Sequence, residues 1–240
     1  MPNRKILIDP AFEGPPASAH GGYACGILAP FLAADPEITL RRPVPLGTPL
    51  RVAESNGGLT LHDQNDLVAE GTVTELEDRA PQPPTFAEAL AATASFPGLR
   101  SHPYPRCLGC GTGRADAVAL RIFPGPLAER ELVAAVWYPG SDATANGLIK
   151  PEFAWAALDC PGGWAAIRFG RIDRPAVLGR MAARLVPRIE AHSAHIVVGW
   201  LEGVSGRKLA AGSALYTRDG VLQGFSRQTW ITLADPETPR

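Results

Sequence analysis

The chain has 240 residues, with Lys+Arg 23 against Asp+Glu 24, a formal net charge of -1 and 45% hydrophobic residues. A chain of this length buries roughly 70–75% of the surface it exposes when unfolded, so it needs no disulfide staple. The near-neutral balance excludes the broad basic footprint of a nucleic-acid binder, and the apolar content is too high and too patterned for a disordered chain.

Residues 1–10 contain no apolar core of signal-peptide length. No run approaches the roughly 18 consecutive apolar residues of a membrane span. A soluble, cytoplasmic protein is expected. Residues 19–34, from Ala19-His20-Gly21-Gly22 to Ala33-Ala34, form an almost wholly apolar segment of helical length, which reads as a helix buried on most sides. Two gapped strand patterns follow at 38–52 and 59–76, the second folded at Asp63-Gln64-Asn65-Asp66. Pro and Gly then punctuate a stretch that includes the Ala-rich residues 86–95, and residues 81–106 read as a linker.

Beyond it the same order of elements returns. Strand-like runs at 117–123 and 131–138 precede a second apolar helix, 151–166, opened by Pro151, whose missing N–H costs nothing in a first helical turn. Strands follow at 178–189, 194–202, 208–216 and 221–233, with Arg218-Asp219-Gly220 as the turn of the last hairpin. The expected fold is α+β: two antiparallel sheets, each wrapped around a central apolar helix, in units 1–80 and 107–240.

Four cysteines, Cys25, Cys107, Cys110 and Cys160, do not suggest a disulfide framework in a chain without a secretion signal. Cys107-Leu108-Gly109-Cys110 has zinc-knuckle spacing and His102 stands five residues upstream, but no second Cys-x-x-Cys completes the four ligands of a closed zinc site. A tight Gly-rich turn is expected there, with no metal and no redox role.

His20-Gly21-Gly22, opening an apolar helix after a loop with Glu13-Gly14-Pro15-Pro16, resembles the start of the central helix in hotdog-fold thioesterases. The second half is similar to the C-terminal half of double-hotdog acyl-CoA thioesterases of the type called acyl-CoA thioesterase II. Asp159, in Trp155-Ala-Ala-Leu-Asp159, stands where that family places a catalytic aspartate, and Gln228, after the Asp219-Gly-Val-Leu hairpin, where it carries a catalytic glutamine. The resemblance implies a thioester hydrolase acting on an acyl-CoA or other acyl thioester, with no cofactor beyond the coenzyme A of the substrate, and a homodimer. Laying His20 opposite Lys150 puts Ala29 opposite Asp159, so only the second helix carries a carboxylate, and the family's hydroxyl partner has no Ser or Thr near Gly179-Arg180.

Asp159 is then the expected base, with Gln228 orienting the water. Gly21 and Gly22 are expected to let the acyl carbonyl approach backbone N–H groups at a helix N-terminus, and His20 and Trp155 to contact the substrate. Trp155 and Trp164, nine residues apart, are expected on nearly the same side of the helix. Structural readings stand beside these: Asp159 satisfying backbone donors near Cys160-Pro-Gly-Gly, Gln228 an exposed strand residue, His20 an N-cap, and His192-Ser193-Ala194-His195 a loop between strands. The cluster Arg168, Arg171, Arg174, Arg180, Arg184 and Arg188 reads either as a solvated face or as a partner for the phosphates of coenzyme A. The competing functions are a non-catalytic acyl- or CoA-binding module and a dehydratase using His20 with Asp159.

Overall fold

The computed structural model describes residues 4–233. Residues 1–3 and 234–240, at the outer ends of the two expected units, lie outside the described residues. In chain order the elements are β1 (Arg4–Ile6), α1 (Gly21–Leu28), β2 (Pro36–Leu40), β3 (Leu50–Ser55), β4 (Gly58–Asp63), β5 (Asp66–Val73), α2 (Phe86–Ala94), β6 (Gly125–Leu127), β7 (Leu132–Trp137), β8 (Thr144–Ala145), β9 (Leu148–Ile149), α3 (Pro151–Phe169), β10 (Ala176–Leu185), β11 (His195–Ser205), β12 (Lys208–Thr217) and β13 (Leu222–Thr232). No helix among the described residues is long and apolar enough to cross a membrane.

Where two sheets are expected, one continuous 11-stranded sheet is found, in the order β1-β3-β4-β5-β2-β10-β13-β12-β11-β7-β6, beside a small β8–β9 pair. The two halves fuse because β2 and β10 pair antiparallel, Met181 opposite Ile38 and Arg180 opposite Thr39. That pairing satisfies backbone groups that two separate sheets would leave as open edges. Ion pairs cross the seam: Arg184 with Asp35, and Arg180 with Glu37 at 3.5 Å. Two members of the expected arginine cluster therefore join the halves.

The second half explains its own unbroken apolar runs. All six residues of β7 are buried, because helices cover both faces of its sheet. Ala135, Trp137, Val197 and Leu215 face the core built on α1 and α3. Their neighbours Ala134, Val136, Ile196 and Tyr216 face a second core that contains Ala89 and Ala92 of α2. The Ala-rich segment of the expected linker is this helix, started by a capping box in which the Glu88 N–H donates to Thr85 Oγ1 and the Thr85 N–H to Glu88 Oε2. Thr93 Oγ1 accepts from the Val136 N–H at 3.0 Å, fixing α2 to β7.

Two expected elements differ. The helix expected at 19–34 ends at Leu28 and tightens into a 3-10 turn at Ala29–Phe31, because Pro30 has no N–H to continue the ladder. Residues 117–123 form no strand: Arg121 has φ +54°, which breaks an extended run. Leu120 and Ile122 are nevertheless buried, and their N–H groups donate to the Leu108 and Gly109 carbonyls at 2.9 Å. The loop thus clamps the Cys107–Cys110 turn.

Candidate active site

The site forms where the start of α1 crosses the middle of α3. Two glycines permit the approach. A Cβ on Gly22 would lie 2.6 Å from Asp159 Cβ and 2.7 Å from the Trp155 carbonyl, and one on Gly26 would lie 2.7 Å from Glu152 Cα. With no side chain in the way, the Gly22 N–H donates to Asp159 Oδ2 at 2.7 Å. Gly22 therefore serves helix packing and carboxylate binding rather than facing a substrate as expected.

Asp159 is buried, and its other oxygen, Oδ1, has no hydrogen-bond partner among the described residues. Burial pushes its carboxyl up to about 6, against the opposing pull of His20 and the Gly22 N–H. His20 caps α1 and is itself buried. Its Nδ1 lies 3.3 Å from both Asp159 Oδ2 and the Tyr23 N–H, and its Nε2 lies 3.4 Å from Cys160 Sγ. Burial alone would lower the His20 pKa, but Asp159 and then Cys107 outweigh it and raise the pKa overall.

A cavity of about 390 Å³ opens beside this pair, and its lining includes His20, Gly21 and Asp159 together with Cys107, Cys110 and Cys160. Trp164, Ile167, Leu178 and Trp230 supply apolar wall, and Arg207 stands in the lining. Arg207 Nε donates to the Thr232 carbonyl at 3.0 Å and has no acidic partner among the described residues. Gly21 is the first residue of α1, where a backbone N–H has no intrahelical acceptor.

Trp155 does not reach the cavity: it is buried with its Cβ against Gly26. Trp164 is the residue that lines it. At about 100° per residue, nine positions place two side chains on opposite sides of a helix, which corrects the expectation that they share a side. Trp230, His102 and Tyr104 also line the cavity and carried no local signal in the sequence that would have marked them for it. His195 lies on β11 with Nε2 2.9 Å from the Glu190 carbonyl, and His192 is exposed.

Gln228 is buried on β13, next to α3 but behind the cavity wall. Its Nε2 donates to the Leu158 carbonyl at 2.6 Å and to Ser226 Oγ at 2.8 Å, with Ser213 Oγ at 3.1 Å; its Oε1 accepts the Trp230 indole N–H at 2.7 Å. Ser213 Oγ also donates to the Leu158 carbonyl. Pro161, inside the same helix, has no N–H for the carbonyl of Ala157, the residue before Leu158, so these bonds brace α3 next to the break in its ladder. The amide is thus engaged with α3 and Trp230, leaving no donor for a water at Asp159.

No protein-family model matches the sequence, and no curated protein does. Solved structures do. The tesB protein of Mycobacterium avium subspecies paratuberculosis is 12% identical, with 97% of this chain and 93% of that one covered and a TM-score of 0.59. The acyl-CoA thioesterase II TesB2 of Mycobacterium marinum is 10% identical, with 92% and 93% covered and a TM-score of 0.56. A conserved protein of unknown function with the hotdog fold from Alicyclobacillus acidocaldarius is 10% identical, with 96% and 93% covered and a TM-score of 0.58. The chain has the hotdog fold, in the arrangement shared with TesB-type acyl-CoA thioesterase II and related thioesterase-superfamily structures.

Proposed function

We propose that the protein is a thioester hydrolase that takes acyl-CoA or a similar acyl thioester into the cavity beside Asp159. The observation that carries this reading is a buried carboxylate on the cavity wall, with one oxygen fixed by the Gly22 N–H and the other without a protein partner. The fold shared with acyl-CoA thioesterases supports the substrate class.

In this mechanism Asp159 Oδ1 accepts a proton from a water, whose oxygen attacks the thioester carbon. The developing oxyanion lies against the Gly21 N–H at the positive end of α1. Collapse of the tetrahedral intermediate breaks the C–S bond, and the Asp159 carboxyl returns its proton to the departing sulfur. The products are a carboxylic acid and a thiol. Trp164, Trp230 and Leu178 give the acyl chain an apolar wall, and Arg207 offers a guanidinium to the coenzyme A phosphates. Gln228 acts here as a positioning residue, holding the turn of α3 that carries Asp159.

The test is thiol release from a panel of acyl-CoAs of increasing chain length. Turnover of at least one, saturating with concentration, is expected. Binding of every ester without turnover would replace this reading by the acyl-binding module. A second reading rests on the His20 Nδ1 to Asp159 Oδ2 approach of 3.3 Å, a pair suited to reversible hydration of an enoyl thioester. Loss of enoyl absorbance without thiol release would select it.

A further inference from the structure

Beside the His20–Asp159 pair, in the lining of the same cavity, lies a group of side chains that the hydrolytic mechanism does not use. Cys107, Cys110 and Cys160 are all buried and all unbridged. Cys107 Sγ lies 3.8 Å from Cys110 Sγ and 3.7 Å from Cys160 Sγ. These separations are far beyond the roughly 2.05 Å of a disulfide. They match the edge of a tetrahedron whose centre lies about 2.3 Å from each sulfur, which works out at about 3.8 Å. His20 joins the group: its ring nitrogen and the sulfurs of Cys107 and Cys160 lie within 4.8 Å of one another, a set that Cys110 borders through its contact with Cys107 without belonging to it.

We infer that Cys107, Cys160 and His20, completed by an inward shift of the Cys110 sulfur, form a closed tetrahedral site for one Zn²⁺ ion, tying the Cys107–Cys110 turn to the start of α1 and the middle of α3. Four protein ligands leave no position for water, so the ion positions residues and does not itself activate a nucleophile.

The surroundings fit metal ligation. A metal on His20 Nε2 puts the ring proton on Nδ1, which then gives up the Tyr23 N–H it accepts at 3.3 Å as the cap of α1 and donates instead to Asp159 Oδ2, also 3.3 Å away, the carboxylate–histidine arrangement that orients ligating imidazoles. His102 is set apart from His20: its Nδ1 accepts the Tyr104 N–H at 2.9 Å and has no carboxylate beside it among the described residues to take a proton, so its own proton sits on Nε2 and points at Cys110 Sγ, 3.3 Å away. The Trp164 indole N–H also donates to Cys110 Sγ, at 3.4 Å. Two N–H donors directed at one sulfur suit a thiolate. Gly109 is needed between the cysteines, because a Cβ there would lie 2.5 Å from Cys160 Sγ and 2.9 Å from His20 Nε2. The sequence pointed away from metal because only two of the four ligands are neighbours in the chain; the inference replaces that expectation.

The test is metal analysis of the full chain purified without chelator, followed by exchange with Co²⁺. One zinc ion per chain is expected. The cobalt form should show the visible bands of a tetrahedral centre and a thiolate-to-cobalt charge-transfer band. Cys110→Ser should lose most of the bound metal or weaken the charge-transfer band, Cys25→Ala should change neither, and Asp159→Asn should weaken binding roughly 10- to 100-fold. Folded wild-type protein that takes up neither Zn²⁺ nor Co²⁺ would overturn the site, as would isolation with a disulfide among the three cysteines. Full cobalt binding with an unchanged spectrum in Cys110→Ser would overturn the ligand set. Should that variant fail to fold, the wild-type stoichiometry and spectrum decide. None of these readouts uses substrate, so this inference and the hydrolase reading can fail separately.

Discussion

Replacing Gln228 by Met distinguishes a residue that positions α3 from one that acts on water. Methionine nearly preserves the volume, so the cavity cost is small. What is lost is polar. The Trp230 indole N–H, which donates to Gln228 Oε1 at 2.7 Å, would be left in a largely buried place without an acceptor. The Leu158 carbonyl would keep only Ser213, and Ser226 Oγ would lose the amide N–H at 2.8 Å. One orphaned buried donor costs about 1–3 kcal/mol, and the weakened acceptors bring the expected loss to roughly 2–3 kcal/mol. Urea unfolding followed by circular dichroism measures this. With a slope near the upper end of the usual range, about 3 kcal/mol/M, the midpoint should fall by about 0.7–1 M with the slope unchanged. Turnover by the folded variant should stay within about tenfold, whereas loss of general-base assistance typically costs 10²–10⁴-fold. An unchanged midpoint with abolished turnover would refute the positioning role and restore Gln228 as the water-orienting group.

Three further outcomes follow from the packing. Gly26→Ala should destabilise by about 1–3 kcal/mol although alanine is the better helix former, because its Cβ would lie 2.7 Å from Glu152 Cα and 2.8 Å from Trp155 Cβ; a rise in melting temperature would contradict the close crossing. Gly22→Ala should destabilise the fold and also cut turnover, since the same clash displaces the N–H that holds Asp159 Oδ2; reduced stability with undiminished kcat would separate that bond from catalysis. The hydrogen bonds and charge of Arg184 hold the Asp35 carboxyl below its ordinary value. Its contribution is therefore complete above the ordinary carboxylate range and disappears as pH falls through the lower folded value, so the stability gap between wild type and Arg184→Gln should shrink on acidification below about pH 4. A gap independent of pH would remove this ion pair from the seam.

Local chemistry made several elements legible. The turns at Asp63-Gln64-Asn65-Asp66 and Arg218-Asp219-Gly220 form as expected, with Gln64 at φ +51° and Gly220 at φ +87°. Pro151 opens α3 as its position implies, and Asp159 and His20 meet because both lie on apolar helices that pack together. What stayed hidden depended on long-range contacts. The apolar alternation of 117–123 reads as a strand, yet a loop pinned by backbone bonds to Leu108 and Gly109 buries the same side chains. The fused sheet depends on β2 meeting β10, which no local pattern specifies. Gln228 looks like any strand glutamine until Ser213, Ser226 and the Leu158 carbonyl close around it. The sulfur cluster likewise joins a loop, a helix cap and a mid-helix position.

The most direct test of the central claim compares wild type with Asp159→Asn for thiol release from an accepted acyl-CoA. Asparagine keeps the shape and an oxygen for the Gly22 N–H but cannot take a proton. A fall in kcat of roughly 10²–10⁴-fold, with ester binding retained, is the predicted result. Equal rates in the two proteins would show that the buried carboxylate is not the base.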